Sequence, residues 1–278
     1  MFMAFEHSQT REMIMRYGVM NAPMRPLLQE IDALGPLGFD YLELTMDAPY
    51  AHHAVLLDQK AAIEKALARF HLALVCHLPT FVSTADLTDR LREASIEETR
   101  LSLQAAAELH PLKVVLHPSF IHGLGAMMPE IAQRHARAAM ERLLNEAERL
   151  KLTVCVENMF PRSLSLVRPE EFDALFASHP VAKLTLDTGH AHIGGGTQRV
   201  LSFIERFAGR IGHIHASDNF GREDEHLPIG VGAIDFPKVV QALRHAGYDD
   251  TITLEVFSRD RDYLRISREK LVALFAGK

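Results

Sequence analysis

No apolar run in this 278-residue sequence approaches the roughly 18 residues that a membrane-spanning helix needs. The opening MFMAFEHSQTREM has only a few apolar residues before Glu6 and His7, too few for the core of a secretion signal. Basic charge is scarce as well: 30 Lys and Arg stand against 36 Asp and Glu, a formal net charge of -6, with a pI near 6.2. That balance offers no global attraction for nucleic acid or anionic lipid, although a local basic patch would survive inside it. Cysteine is limited to Cys76 and Cys155, each inside a strand-like run. A disulfide framework is therefore not expected, and a cytoplasmic protein is. Linkers rich in Pro, Ser or Gly, low-complexity tracts and short repeats are all missing. What remains is one compact soluble body, a single domain over residues 1–278, with its oligomeric state left open and a homo-oligomer allowed.

What is present is a recurring pattern. Short aliphatic or β-branched runs lie at 12–20, 41–46, 72–79, 113–118, 153–158, 183–188, 212–219 and 251–257, eight in all. Between them apolar residues fall at helical spacing, as in Ile131, Ala138, Leu143, Leu144, Ala147 and Leu150. Strand and helix alternating eight times predict an α/β fold, a single (β/α)8 TIM barrel, with a doubly wound open sheet as the alternative. The punctuation agrees: Gly35 and Gly38 stand where the first helix should stop, Gly247 precedes the last strand, and Pro237 suits a first helical turn. Thr197 is expected to cap the helix that follows the triple glycine at 194–196. Met13, Met15, Met20, Met24, Met127 and Met128 read as packing residues, with a flexible lid from Gly123 to Pro129 as the alternative for the last two.

In such barrels the C-terminal strand ends form the working face. Here those ends carry Glu43, His77, His117, Glu157, Asp187 with His190, His215 with Asp218, and Glu255, while Asp224 and His226 follow in the loop after the seventh strand. A lone strand-end His is usually a hydrogen-bonded neutral ring, and a lone Asp or Glu usually a helix cap or half of an ion pair. Carboxylates and imidazoles converging on one mouth would be costly to desolvate without a cation to balance them, so a divalent metal centre is expected. Oxygen and nitrogen ligands without thiolate fit Zn, Mn, Fe, Co or Mg and exclude a structural thiolate site. The period of two places His213 and His215 on one side, with His213 deeper, and Cys155 with Glu157 on one face while Cys76 turns away from His77. Asp218 and Asn219 are expected to fix the loop that presents Asp224 and His226, and His192 to support its neighbours.

The segments VENM, LDTGHAHI, GHIHASDN with DEHLPIGVGAIDF, and LEV, each closing an expected strand, resemble the xylose-isomerase-like TIM barrels. That superfamily includes sugar-phosphate isomerases and epimerases and endonuclease IV, and the resemblance runs from FDYLELTMD through ITLEVF. On the isomerase pattern, the resemblance implies that Glu157, Asp187, His215 and Glu255 hold one divalent ion, usually Mn or a similar metal. Glu157 and Glu255 would exchange a proton with a small carbohydrate or ketoacid, and His190 would contact it; Arg222 either anchors it or is a solvated loop cation, and Glu43 either touches it or pairs with a neighbouring cation. On the nuclease pattern, His77, His117, Glu157, Asp187, His190, His215, Asp224, His226 and Glu255 would hold three zinc ions that act on an abasic site in DNA.

Departures favour the first pattern. MRYGVMNAPM has no His where the nuclease opens with a Gly-x-His motif, and HLPT follows His77 without the nuclease's DNA-penetrating Tyr. The loops DAPYAHH, LPTFVST and PSFIHGLGAMMP are poor in the cations that a duplex binder needs. A third hypothesis is a barrel that binds metal or ligand and catalyses nothing.

Overall fold

The computed structural model describes residues 15–277. The expected strand residues 12–14 and the opening segment MFMAFEHSQTREM lie outside them. Eight parallel strands close into a barrel in chain order, so the (β/α)8 expectation holds and the open sheet is excluded. The first quarter runs β1 (Arg16–Met20), α1 (Leu27–Leu34), β2 (Tyr41–Thr45), α2 (His53–Asp58) and α3 (Lys60–Arg69). The second runs β3 (Ala73–His77), α4 (Asp89–Leu109), β4 (Val114–Leu116), α5 (Leu124–Met127) and α6 (Pro129–Arg149). The third runs β5 (Val154–Glu157), α7 (Asp173–Ser178), β6 (Lys183–Asp187), α8 (Thr188–His192) and α9 (Gly196–Phe207). The last runs β7 (Ile211–Ala216), α10 (Phe236–His245), β8 (Thr251–Leu254) and α11 (Asp262–Phe275). No helix among the described residues is long and apolar enough to cross a membrane.

Alternation along each strand sorts the side chains into two compartments. Leu42, Leu44, Leu74, Cys76, Val114, Leu116, Val154, Val156, Leu184, Leu186, Ile214, Ile252 and Leu254 face outward into the main apolar core. There they meet helix stripes such as Val200, Phe203, Ile204 and Phe207 of α9 and Phe236, Val239, Val240 and Leu243 of α10, both at the i, i+3, i+4, i+7 spacing of one helical face. The alternate residues turn into the barrel, where Tyr41, Val75 and Val115 form a small separate apolar layer. Gly18 makes room for that layer, since a Cβ on it would sit 2.0 Å from the Tyr41 ring. Cys76 lies in the outer core while Cys155 sits beside Gly212, and both thiols are free and buried.

The punctuation holds with two corrections. Gly38 is left-handed at φ 72° after a short 3-10 turn, Gly247 is left-handed at φ 69°, and Pro237 occupies the first turn of α10, capped by Asp235. Thr197 does not cap α9: the cap position is Gly195, and the Thr197 hydroxyl instead accepts the Asp235 N–H at 3.0 Å. The glycine run starts the helix two residues earlier than a side-chain cap at Thr197 would allow. The hydroxyl is thereby left free to tie α9 to α10. Met24 and Met127 are not packing residues; both stand more than three-quarters exposed, Met24 on the loop after β1 and Met127 at the end of α5.

Candidate metal centre

The side chains predicted for the centre reach the mouth from the ends of β3 to β8 or from the segments just after them, with His190 in α8 and Asp224 and His226 in the loop after β7; Glu43 and Arg222 are the exceptions. Glu157 stands in the middle with both oxygens engaged. Its Oε2 faces His77 Nε2 at 3.4 Å and His117 Nε2 at 3.7 Å. Its Oε1 faces His190 Nδ1 at 3.2 Å and His215 Nδ1 at 3.4 Å. His215 Nδ1 also lies 3.7 Å from Asp187 Oδ2 and 3.2 Å from Glu255 Oε1. On the outer side, Asp224 Oδ2 lies 3.2 Å from His190 Nε2 and 3.0 Å from His226 Nε2. Three linked groups result: His77–His117–Glu157, Glu157–Asp187–His215–Glu255, and His190–Asp224–His226. Every ion pair found for Glu157, Asp187, Asp224 and Glu255 among the described residues is with a histidine.

The far nitrogens of the imidazoles explain why the site suits a cation. His77 Nδ1 donates to the Leu78 carbonyl at 2.9 Å, His190 Nδ1 to the Asn158 carbonyl at 3.0 Å, and His226 Nδ1 to the Glu255 carbonyl at 3.0 Å. His215 Nε2 donates to Glu43 Oε1 at 3.0 Å. In the neutral rings these bonds place the hydrogen on the far atom, so a bare lone pair points at carboxylate oxygens. A lone pair facing a carboxylate repels it unless a proton or a metal ion lies between. Consistent with this, His215 Nδ1 and Asp224 Oδ1 are buried with no hydrogen-bond partner. The donor set therefore fits one to three divalent ions of the zinc or manganese kind.

Without a metal, protons take the cation's place. Burial opposes charge on His77 and His226, but hydrogen bonds to Glu157 and to Asp224 push them up to about 9. His190 and His215 are held well above the ordinary range in the same way, against burial, by Asp187 and by Glu255. Burial dominates elsewhere: it lowers His117 and pushes Glu255 up to about 7 beside Asp187 and Glu157. Glu157 stays well below the carboxylate range despite its burial, because His215 and His117 face it.

Local structure fixes the tips. Asp187 caps α8, its Oδ1 accepting the His190 N–H at 2.6 Å, which leaves Oδ2 for the centre. Asn158 braces it from β5, with Nδ2 donating to the Asp187 carbonyl and Oδ1 accepting the Asp187 N–H. The loop after β7 is built around Asp218, whose buried carboxylate accepts the N–H groups of Asn219, Gly230, Gly232 and Ile234. His192 bonds Asn219 Oδ1 at 2.7 Å and supports that loop.

Two expectations need correction. Glu43 is fully buried beneath the centre and bonds His213 and His215, so of its two readings the pairing one stands and contact with substrate does not. Arg222 is exposed and has no hydrogen-bonded or ionic partner among the described residues, so nothing holds it toward the mouth. Sequence reasoning missed Asn158, although VENM displayed it, and Phe160 and Phe257, whose rings lie 5.0 Å from His190 and 4.2 Å from His226. It also missed a half-buried group of His52, His53 and Glu98. There His52 Nδ1 accepts the Ala54 N–H, which leaves Nε2 protonated toward Glu98, so a helix cap accounts for the contact.

The chain is similar to several known proteins. A protein of uncharacterised function from Methanocaldococcus jannaschii is 27% identical over 272 residues, with 92% of each chain covered. A probable endonuclease 4 of Mycobacterium leprae is 27% identical over 221 residues, covering 76% of this chain and 82% of that one. The crystal structure of a D-tagatose 3-epimerase-like protein superposes with a TM-score of 0.79 at 26% identity, covering 94% of this chain and 97% of that one. The family described as xylose isomerase-like TIM barrel matches residues 31–274. With that span matched and the barrel closed around these clusters, the chain belongs to the xylose isomerase-like TIM barrel family.

Proposed function

We propose that this protein is a divalent-metal-dependent isomerase or epimerase of a small hydroxy-carbonyl compound: a sugar, a sugar phosphate or a hydroxy-ketoacid. The observation that carries the reading is the pair Glu157 and Glu255. They come from strands three apart in the closed barrel, yet both reach within 3.4 Å of His215 Nδ1. The likeness to a D-tagatose 3-epimerase-like protein supports it.

A divalent ion held by Glu157, Asp187, His215 and Glu255 would polarise the substrate's carbonyl and acidify the neighbouring C–H. The two glutamates approach from different sides. One takes the proton from carbon and the other returns a proton to the opposite face, which inverts the centre; return by the same carboxylate to the adjacent carbon isomerises instead. His190 holds a substrate oxygen. Phe160 and Phe257, whose rings lie tilted beside His190 and His226, keep water from that side of the mouth.

A second reading has its own support. The three linked groups contain the nine residues of a trinuclear zinc centre, and the Mycobacterium leprae relative is named a probable endonuclease 4. On that reading the protein cleaves DNA at abasic sites. Elemental analysis and two assays separate the readings. One manganese-like ion per chain, with solvent deuterium entering a ketose beside its carbonyl, is the expected result. Three zinc ions, with cleavage of an abasic duplex and no deuterium uptake, would sink the isomerase reading. A non-catalytic barrel would show neither activity, and Glu255→Gln would then have no turnover to lose.

A further inference from the structure

We infer that Glu43 is a positioning residue for the metal centre: from inside the barrel it dictates that His215 offers Nδ1, and not Nε2, to the ion. The inference rests on the metal-centre reading above but not on the reaction assigned to it.

The geometry is a closed hydrogen-bond cage in one buried layer. Glu43 Oε1 accepts from His215 Nε2 at 3.0 Å, and Oε2 accepts from His213 Nε2 at 3.0 Å and from the Thr253 hydroxyl. Tyr41 OH donates in turn to Thr253 Oγ1 at 2.8 Å, and Thr251 Oγ1 donates to His213 Nδ1 at 2.7 Å. Glu43, both histidines, both threonines and Tyr41 are fully buried. An ionised carboxylate only accepts, so both Nε2 atoms must carry hydrogens. The His213 lone pair is spent on Thr251. The His215 lone pair is not: Nδ1 has no partner and faces Glu157, Asp187 and Glu255. Turning the His215 ring over would leave a buried carboxylate oxygen without a donor, which the barrel interior cannot offset with water. The charged acceptor also strengthens the ring as a donor to metal.

If Glu43 merely filled the barrel, its isostere Gln would serve as well. It cannot serve here, because three donors surround the group and Gln supplies one acceptor oxygen and an NH2. That oxygen is drawn to the side where His213 and Thr253 both donate, which sets the NH2 against His215 Nε2–H. Thr253→Val removes a donor but keeps the carboxylate, and so serves as the control.

The test uses zinc-loaded protein labelled with 15N at histidine, with the His215 signals assigned by their loss in His215→Gln. The expected result is zinc on Nδ1 and a hydrogen on Nε2. Zinc on Nε2, an ion that Glu43, His77 and His215 would then share, overturns the inference. That readout needs no variant, so it stands even where Glu43→Gln fails to fold. Chelator-competition titration then compares affinities for the ion lost in His215→Gln. Glu43→Gln should weaken it about 10- to 100-fold, and Thr253→Val less than about threefold. Equal losses in the two, or a loss in Glu43→Gln below about threefold, reduce Glu43 to packing. Because both measurements read zinc and a ring nitrogen, a failed deuterium assay would refute the isomerase reading and leave this one standing.

Discussion

At the scale of single residues, the centre works because several side chains hold two jobs with separate atoms. Asp187 is the clearest case, with Oδ1 capping α8 and Oδ2 aimed at His215 Nδ1. Asn caps helices about as well as Asp, so Asp187→Asn should keep the fold within about 1 kcal/mol of the parent while losing the charge that faces the ion. Asp187→Ala loses both jobs and should cost roughly a further 1 kcal/mol. Urea denaturation of the metal-free proteins, beside zinc titration, checks this. If the two substitutions weaken zinc to different extents but stability alike, the division of labour is wrong. Such residues were legible in the sequence because the period of two makes a strand tip point inward. Glu43 was half legible: its position on β2 was plain, but its partners His213 and Thr253 come from β7 and β8, 170 and 210 residues away. No local pattern could bring those three together.

At the scale of elements, the loop between β7 and α10 decides whether the outer group exists at all. Asp224 and His226 sit in an excursion whose backbone is gathered on one carboxylate, Asp218, through four N–H groups at 2.9–3.1 Å. Asp218→Ala would leave those buried or half-buried donors unmatched, at a cost on the order of 3 kcal/mol. Gly232 reports on the same packing by another route: a Cβ there would lie 2.4 Å from the Asn219 carbonyl oxygen and 2.5 Å from Asp218 Oδ1. Both Asp218→Ala and Gly232→Ala should therefore lower zinc binding at His190–Asp224–His226 while leaving the ion at His215 in place. Zinc counting against a series of chelators tests this, and loss of all ions together would show one cooperative centre in place of separable groups. The loop's role was readable in SDN followed by DEH, since small polar residues before a Gly-rich stretch imply a side-chain-organised turn. The start of α9 was misread, because a glycine run can begin a helix without any side-chain cap and nothing in the local sequence distinguishes the two.

At the scale of the whole molecule, the barrel concentrates charge that only a cation balances, and its stability should follow pH accordingly. The eightfold alternation made the closed barrel legible from the strands alone, and the charge at its mouth was legible as strand-end residues; the coupling between them is a property of the assembled fold. In the metal-free protein His77 and His226 lie at about 9, against about 6.5 in an unfolded chain. A histidine raised in the fold contributes stability that is complete below the unfolded value and disappears as pH rises through the folded one. His117 and His213 are shifted the other way by burial, the latter to about 4, so their contributions are complete above about pH 6.5 and leave the alkaline slope alone. Glu255, raised to about 7, loses its contribution on the way from its unfolded value to neutrality. Between pH 7 and 9 the raised imidazoles therefore dominate, and the metal-free protein should lose stability as pH increases, by roughly 5 °C or more in Tm. Zinc replaces those protons and competes better where they are leaving, so its stabilisation should grow over the same interval and flatten the curve. Thermal denaturation from pH 6.5 to 9, with chelator and with zinc, measures both slopes. A metal-free Tm that rises toward pH 9, or a zinc increment that shrinks there, would show that protons on these histidines are not what balances the mouth.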